Sequence, residues 1–542
     1  MGRPRKPNGA DVPPPAGPTE GMRAIADLVD NATPQVPPVK PKVKEAGADD
    51  KKKGGSQASR LLGQTASWLK FHDRNGNAYV RVPVGYGAAV YRIPSAQLKT
   101  LLSATYYDME RDESSLAKPA RDDVLDTLAA QAIHQGPCLP IGLRTAAMGE
   151  GVEIDRCSAD FSAIRVTPHR IPEWCVVSVA ESNFVRTGGM EALPEPEISE
   201  DDILGLLRDL ISADEADLRL LAIWMVAALR PVGPYPILML RGAAGSGKTF
   251  VLKMIRACID PNSAPVRSAP ETLRDQVIEA ANNATLFYDN LSFIAAWRSD
   301  FWCSTSHGAG YAARQLHTDD EQVILNFCRP IAINSIVELG TRQDLGDRAI
   351  PITLRPISEE NRRSEAELWA EFEARQPRIL GALLTGLAGG LRNLPSVKLD
   401  RLPRMADFAL FAYACSPALG WDGPTFLADY ARVRDDAVTT ALESSSFAEA
   451  LQTMMGDIVG GQWQGSATQL RDRLDSFVID SVRKSKDWPK TANQIGSAIA
   501  RLAPALKAVG LTIENARVGH GGARVIKIST APGRSAGPSE KT

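Results

Sequence analysis

Seven cysteines lie between Cys138 and Cys415 without one C-x-x-C pair, and an odd number cannot all be paired. That pattern excludes a disulfide framework and a zinc ribbon. No stretch approaches the ~20 consecutive apolar residues that a membrane-spanning helix needs, and the first residues lack the apolar core of a secretory signal. A soluble protein in a reduced, cytoplasmic setting with no membrane partner is expected. There is also no overall excess of either charge: a net charge of -2 and a pI near 6.4 do not announce a nucleic-acid binder. The charge is nevertheless uneven. Residues 481–530 hold nine Lys/Arg against two Asp/Glu, a local surplus of seven.

At 542 residues the chain is too long for one core, and a prior of roughly 150 residues per unit suggests three to four of them. Residues 1–60 are rich in Pro, Gly, Lys and Ala and show no sustained apolar period, which predicts a disordered basic arm. Within it, Gly2-Arg3-Pro4-Arg5-Lys6 resembles the Gly-Arg-Pro hook of minor-groove DNA binders; the alternative is a solvated tail. Residues 61–196 mix strand-like runs at 78–84, 151–155, 163–166 and 174–178 with helical runs at 95–106 and 124–133, so an α+β domain is expected there. Glu153 and Asp155 alternate along one of those strands and so share a face, as the metal carboxylates of primases do. No further acid or histidine completes such a site, and two strand-end acids are the favoured reading. A core unit is expected at 197–356, a helical one at 357–460, and a helix–helix–hairpin unit at 461–530, with a frayed tail at 531–542.

The densest information sits in Gly242-Ala243-Ala244-Gly245-Ser246-Gly247-Lys248-Thr249, which fits G-x-x-x-x-G-K-[ST]. It follows the apolar run Ile237-Leu238-Met239-Leu240, suited to a strand buried on both faces, and precedes a helical run at 250–259. A strand-to-helix turn of this composition predicts an ATP site. Backbone N–H groups close around phosphates, the helix N-terminus favours negative charge, Lys248 reaches the β- and γ-phosphates, and the Thr249 hydroxyl serves Mg²⁺. A second strand, Thr285-Leu286-Phe287-Tyr288-Asp289, ends in the acid expected to hold Mg²⁺ through water. Asn290 follows it, and an amide cannot accept a proton. Either Asn290 orients the attacking water while the γ-phosphate takes the proton late, or another acid such as Asp300 reaches in. Slow turnover is the expectation on this reading.

On these segments the chain resembles the superfamily 3, AAA+-type helicases of phages, plasmids and integrated elements, especially the ATPase half of virus-type primase-helicases. The resemblance covers residues 198–529 and rests on the glycine-rich turn, Asp289-Asn290-Leu291-Ser292, the stretch from Gly308 to Glu321, Arg329-Pro330-Ile331-Ala332-Ile333-Asn334 and Asp344-Leu345-Gly346-Asp347-Arg348. Leu402-Pro403-Arg404-Met405-Ala406-Asp407-Phe408 is a further mark of similar chains in prophage-like regions. The resemblance implies an α/β fold with a P-loop, AAA+-like parallel sheet, an N-terminal α+β domain, a helical region and a C-terminal winged helix. It implies that Asn334 senses the γ-phosphate and that an arginine before the last core strand projects into the neighbouring subunit's nucleotide. Arg348 is preferred to Arg342 for that role, the alternative being a surface salt bridge with Asp344 or Asp347. It also implies a channel hairpin between acid and sensor, on which Arg314 and His317 would contact single-stranded DNA. An internal ion pair of Arg314 with Asp319 or Asp320 is the competing reading. The usual glutamate after the metal acid is absent here, and no primase half is implied.

In the basic C-terminal unit, Thr491 is a plausible N-cap for a helix running to Lys507, whose polar residues are Asn493, Gln494, Arg501 and Lys507. In a major groove these could read bases or phosphates, with Arg517, His520, Arg524 and Lys527 of the wing on the backbone. Such units also dock proteins. The expected function is an ATP-dependent, DNA-binding motor of helicase type in replication of a mobile element. It would act as a homo-oligomer, a hexameric ring, on single-stranded DNA in the channel and duplex at the winged helix, with other replication proteins as partners. The alternatives are an ATP-switch initiator or helicase loader with little unwinding, and a non-enzymatic winged-helix regulator.

Overall fold

The computed structural model describes residues 55–111, 114–199, 201–314, 322–335, 343–443, 445–485, 488–518 and 523–530. The chain divides into two units at 55/56, and the description concerns the second of them. The basic arm up to residue 54, His317, Arg342, the turn at 519–522 with His520, and the tail from 531 lie outside the described residues.

Helix α1 (Gln57–Gln64) starts at Ser56, whose hydroxyl accepts the Ser59 N–H, so the boundary expected at residue 60 falls inside a helix. An antiparallel sheet of β1 (Leu69–His72), β2 (Ala78–Val84) and β3 (Gly87–Ile93) follows, in sequence order. Helices α2 (Ala96–Met109) and α3 (Lys118–His134) cover it, and Val80, Val82, Leu98, Leu102, Tyr106, Val124 and Leu128 form a core of their own. A second antiparallel meander, β4 (Thr145–Met148), β5 (Gly151–Asp155), β6 (Ala163–Val166) and β7 (Trp174–Val177), packs differently. Its Val152, Ile154, Ile164 and Val166 join the large core of the middle of the chain. The 61–196 region thus holds buried clusters of its own and also contributes to the large core.

That large core is built on α4 (Ile203–Arg208) and α5 (Glu215–Ala228), which bury nearly every apolar side chain they carry. A parallel sheet stands against them, with strands β8 (Ile237–Arg241), β9 (Leu286–Leu291), β12 (Ile331–Ser335) and β13 (Ala349–Thr353) in the spatial order β13-β8-β12-β9. Ile237, Leu238, Met239 and Leu240 are wholly buried, as a strand covered on both faces requires. Burial of each such side chain is worth about 1.5–3 kcal/mol, enough to fix the strand's place in the sheet. A single parallel bridge, Arg267 to Tyr288, extends the sheet beyond β9. Between β8 and β9 run α6 (Lys248–Ile259) and α7 (Leu273–Asn282); between β9 and β12 run α8 (Ala296–His307) and the hairpin of β10 (Ala309–Arg314) and β11 (Gln322–Phe327).

One-turn α9 (Gln343–Gly346) leads into β13. Helix α10 (Glu365–Asn393) opens with a capping box between Ser364 and Glu367, and packs Leu380, Leu383, Leu384 and Leu387 inward with α11 (Ala406–Cys415) and α12 (Gly423–Glu443). The last region has α13 (Ser446–Gly456), α14 (Ala467–Leu474), α15 (Asp480–Lys484) and α16 (Ala492–Ala508) around a core containing Leu451, Leu470, Ile495, Leu502 and Ile528. Its sheet has three strands rather than the hairpin alone. Strand β14 (Gln462–Gly465) pairs with β16 (Ala523–Thr530), which pairs with β15 (Leu511–Val518).

Candidate nucleotide site

The turn 242–249 connects β8 to α6, and its glycines are there because the backbone demands them. Gly242, Gly245 and Gly247 have φ of +146°, +80° and +79°, values that L side chains avoid. A Cβ on Gly242 would lie 2.6 Å from the Leu354 carbonyl oxygen and 2.6 Å from Ser246 Oγ. The buried Ser246 hydroxyl donates to the Ala243 carbonyl at 2.9 Å and ties the turn across itself. The Lys248 ammonium lies back over the loop, donating to the carbonyls of Gly242 at 2.7 Å and Ala243 at 2.8 Å. Thr249 sits half-buried at the start of α6, and Ala244 is exposed on the loop. A cradle that only glycine permits, an ammonium, and a hydroxyl on a helix N-terminus form a donor set that fits a polyphosphate with its cation.

The strand order places the second half of the site. Strand β12 lies between β8 and β9, so Asn334 stands between the turn and Asp289. Asn334 is buried and its Nδ2 donates to Asp289 Oδ1 at 2.5 Å. The Asn290 N–H donates to the same oxygen at 2.9 Å. Both bonds fall on Oδ1, and no hydrogen bond to Oδ2 is seen among the described residues. Asn290 itself is exposed with φ +56°, a left-handed conformation that Asn tolerates far better than Glu. Asp300 is on α8 and exposed.

Arg348 immediately precedes β13, and its carbonyl accepts the Ile237 N–H at 2.9 Å. It therefore stands at the start of β8, while the glycine-rich turn stands at the end. Five residues of strand separate the two, roughly 16 Å at 3.3 Å per residue. Its Nη1 donates to the Asp344 carbonyl at 3.3 Å and lies 4.0 Å from the Asp344 carboxylate. Burial raises the Cys303 thiol pKa, with Arg348 beside it pulling the other way. Burial, then Arg348 and Arg404, hold His307 below its usual value.

Arg314 ends β10, paired in register with Gln322. In the C-terminal region Thr491 caps α16, but Gln494 completes the capping box, its Oε1 accepting the N–H groups of Lys490 at 2.7 Å and Thr491 at 3.1 Å. The oxygen of Gln494 is thus engaged in helix capping. Asn493 and Lys507 are exposed at opposite ends of α16, and Arg501 lies along it. Arg517 and Arg524 are register partners on β15 and β16, and the exposed Lys527 is paired with Glu514.

Glu153 and Asp155 are buried and fully engaged in structural contacts. Glu153 pairs with Arg165 at 3.0 Å and accepts the N–H groups of Glu181 and Ser182; Asp155 pairs with Arg186 at 2.7 Å. No metal-binding cluster occurs among the described residues. Two long-range contacts gave no local signal in the sequence: Arg404 with Asp347, and the buried Arg144 with Asp260 at 3.0 Å. No helix among the described residues is long and apolar enough to cross a membrane.

Residues 201–438 match the family described as the actinomycete integrative conjugative element replication protein, and 447–539 match the AICE RepA C-terminal domain. The matches support a replication protein of a mobile element. No curated protein matches the chain. Among solved structures, the chain is similar to the apo A form of the NrS-1 C-terminal region at 11% identity and TM-score 0.40, covering 88% of this chain and 99% of that one. It is also similar to the SCCmec type IV Cch active helicase at 11% identity and TM-score 0.41, covering 85% and 92%. At these scores the structural likenesses carry no functional inference.

Proposed function

We propose that this chain is an ATP-hydrolysing, DNA-binding motor of helicase type that serves replication of a mobile genetic element. The observation that carries the proposal is the joined pair at the strand ends: Asn334 holding Asp289 by a 2.5 Å bond, one strand removed from the glycine-rich turn. We read the sheet as a P-loop, AAA+-like core. Lys248 and the turn's N–H groups would bind the phosphates of ATP. Thr249 and Asp289 would hold Mg²⁺, which when bound neutralises phosphate charge. Asn334 occupies Oδ1, which would leave Oδ2 for the cation, and its amide could donate to the γ-phosphate or the attacking water.

Because Arg348 lies at the far end of the sheet from its own turn, its role is assigned to a neighbouring copy's nucleotide, as a ring supplies. Asn334 and the hairpin of β10 and β11 share one stretch of chain, so a change at the γ-phosphate has a short covalent route to Arg314 and His317 as DNA contacts. Arg501, Lys507, Arg517, Arg524 and Lys527 would meet duplex phosphates, and we read their region as a winged helix. Arg517 and Arg524, at paired positions, carry like charge that a DNA phosphate would relieve.

Asn290 favours a second reading, the ATP switch, since no carboxylate follows Asp289 and the left-handed backbone there suits Asn. Strand displacement on a forked duplex separates the two. A motor unwinds with ATP and stops in Lys248→Ala; a switch assembles on DNA with ATP and displaces no strand.

A further inference from the structure

Arg404 precedes α11 in the helical region, yet its guanidinium pairs with Asp347 and approaches Asp344 Oδ1 at 3.8 Å. Asp344 lies within the one-turn helix that leads to Arg348 and β13, and Asp347 immediately follows it. They are also the carboxylates nearest to Arg348 in the chain, Asp347 adjacent and Asp344 four residues back. Despite this, among the described residues Arg348 donates to the Asp344 backbone carbonyl at 3.3 Å, makes a loose 4.0 Å approach to that carboxylate and lies beside the Cys303 thiol, and its buried Nε has no hydrogen-bond partner among them. Asp347 is taken by Arg404, and Asp344, which lies within 4.0 Å of Arg348, is shared with Arg404 at 3.8 Å. Asp347 and Arg404 are partly exposed, 31% and 42% at their side chains, so their pair adds little to stability. Its consequence is for the electrostatics around Arg348.

We propose that Arg404 is a positioning residue for Arg348: by engaging Asp347 and sharing Asp344 it keeps both carboxylates off the Arg348 guanidinium, which stays available to a phosphate bound by a neighbouring copy. The proposal rests on the reading of Arg348 as the arginine acting in trans. A guanidinium already locked in a bidentate carboxylate pair is a poor phosphate ligand, because both use the same planar fork of donors.

The test uses the full-length protein and measures single-stranded-DNA-stimulated ATP hydrolysis, with kcat and KM for ATP, beside thermal unfolding. Arg348→Ala lowers kcat by about 10³-fold or more, the range of an arginine finger. Arg404→Ala lowers kcat by roughly 10-fold with KM and Tm unchanged, a loss equivalent to about 1.4 kcal/mol in the transition state, and Arg404→Lys keeps most of the activity. Asp347→Ala alone stays near wild type. The deciding variant is Arg404→Ala with Asp347→Ala: removal of the competing carboxylate restores kcat toward wild type. An unchanged kcat in Arg404→Ala overturns the proposal. So does a double variant no faster than Arg404→Ala, which would mean that Arg404 acts on the phosphate itself or through the fold. Wild-type activity in Arg348→Ala would instead overturn the trans-acting reading of that residue, whatever Arg404 does.

Discussion

Asn290 shows how one backbone angle restricts chemistry. At φ +56° a β-carbon costs about 1 kcal/mol, and Asn bears that conformation better than Glu does. Asn290→Glu is therefore expected to lower stability by about 1 kcal/mol in urea unfolding. In the switch reading it also raises the basal hydrolysis rate, by placing a proton acceptor beside the water; in the motor reading the rate is unchanged or lower. Asn334 makes the complementary case. Its amide holds Oδ1 of Asp289, and Asn334→Ala should reduce kcat by about 10²-fold, the usual effect of losing one preorganised donor. ATP affinity, read by a fluorescent analogue, should change by less than about 3-fold if the donor acts mainly in the transition state. Equal losses in both would make Asn334 a ground-state binder.

Among the elements, helix α6 is tied at its C-terminal end by a buried network. Asp260 meets Arg144 at 3.0 Å and Arg256 at 3.4 Å and accepts the Thr285 hydroxyl at 2.8 Å, linking the second meander, α6 and the entry to β9. Removing one partner of a buried pair strands the other, so Arg144→Ala is expected to cost about 3–5 kcal/mol in chemical unfolding. Burial works to raise the Asp260 pKa, but Arg144, Arg256 and Thr285 bring it below its usual value. The folded pKa is thus depressed, and the sign follows. The contribution is complete above the ordinary carboxylate pKa of about 3.9 and is lost as pH falls below it. Arg144→Ala should accordingly flatten the acid limb of the stability curve. For the C-terminal strands, Arg517→Ala with Arg524→Ala and Lys527→Ala should reduce the slope of log affinity for duplex DNA against log salt by about 0.9 for each phosphate no longer neutralised. An unchanged slope would remove these residues from the DNA face.

At the scale of the molecule, what the sequence revealed was local. The turn 242–249, the apolar run of β8, the acid within β9, the polar end of β12, the arginine before β13 and the Thr491 cap are all set by neighbours a few residues apart, and each is a short pattern. Contacts across long separations left no such pattern. The Arg144–Asp260 pair spans 116 residues and the Arg404–Asp347 pair 57, and nothing adjacent to either residue signals a partner. Strand β14 escaped because Gln-Trp-Gln-Gly is short and mostly polar, and becomes a strand by pairing with β16. The capping role of Gln494 was legible in Thr491-x-x-Gln494, yet its position on the helix also suits DNA contact, and only the geometry shows where its oxygen is engaged.

On the proposed reading, the turn and the paired strand ends form one hydrolytic site that DNA engages. The most direct measurement is the steady-state rate of ATP hydrolysis by the full chain with and without single-stranded DNA, beside Lys248→Ala. A rate stimulated several-fold by DNA and abolished in Lys248→Ala is expected. Hydrolysis that survives in Lys248→Ala, or a wild-type protein that neither binds nor hydrolyses ATP, would contradict it.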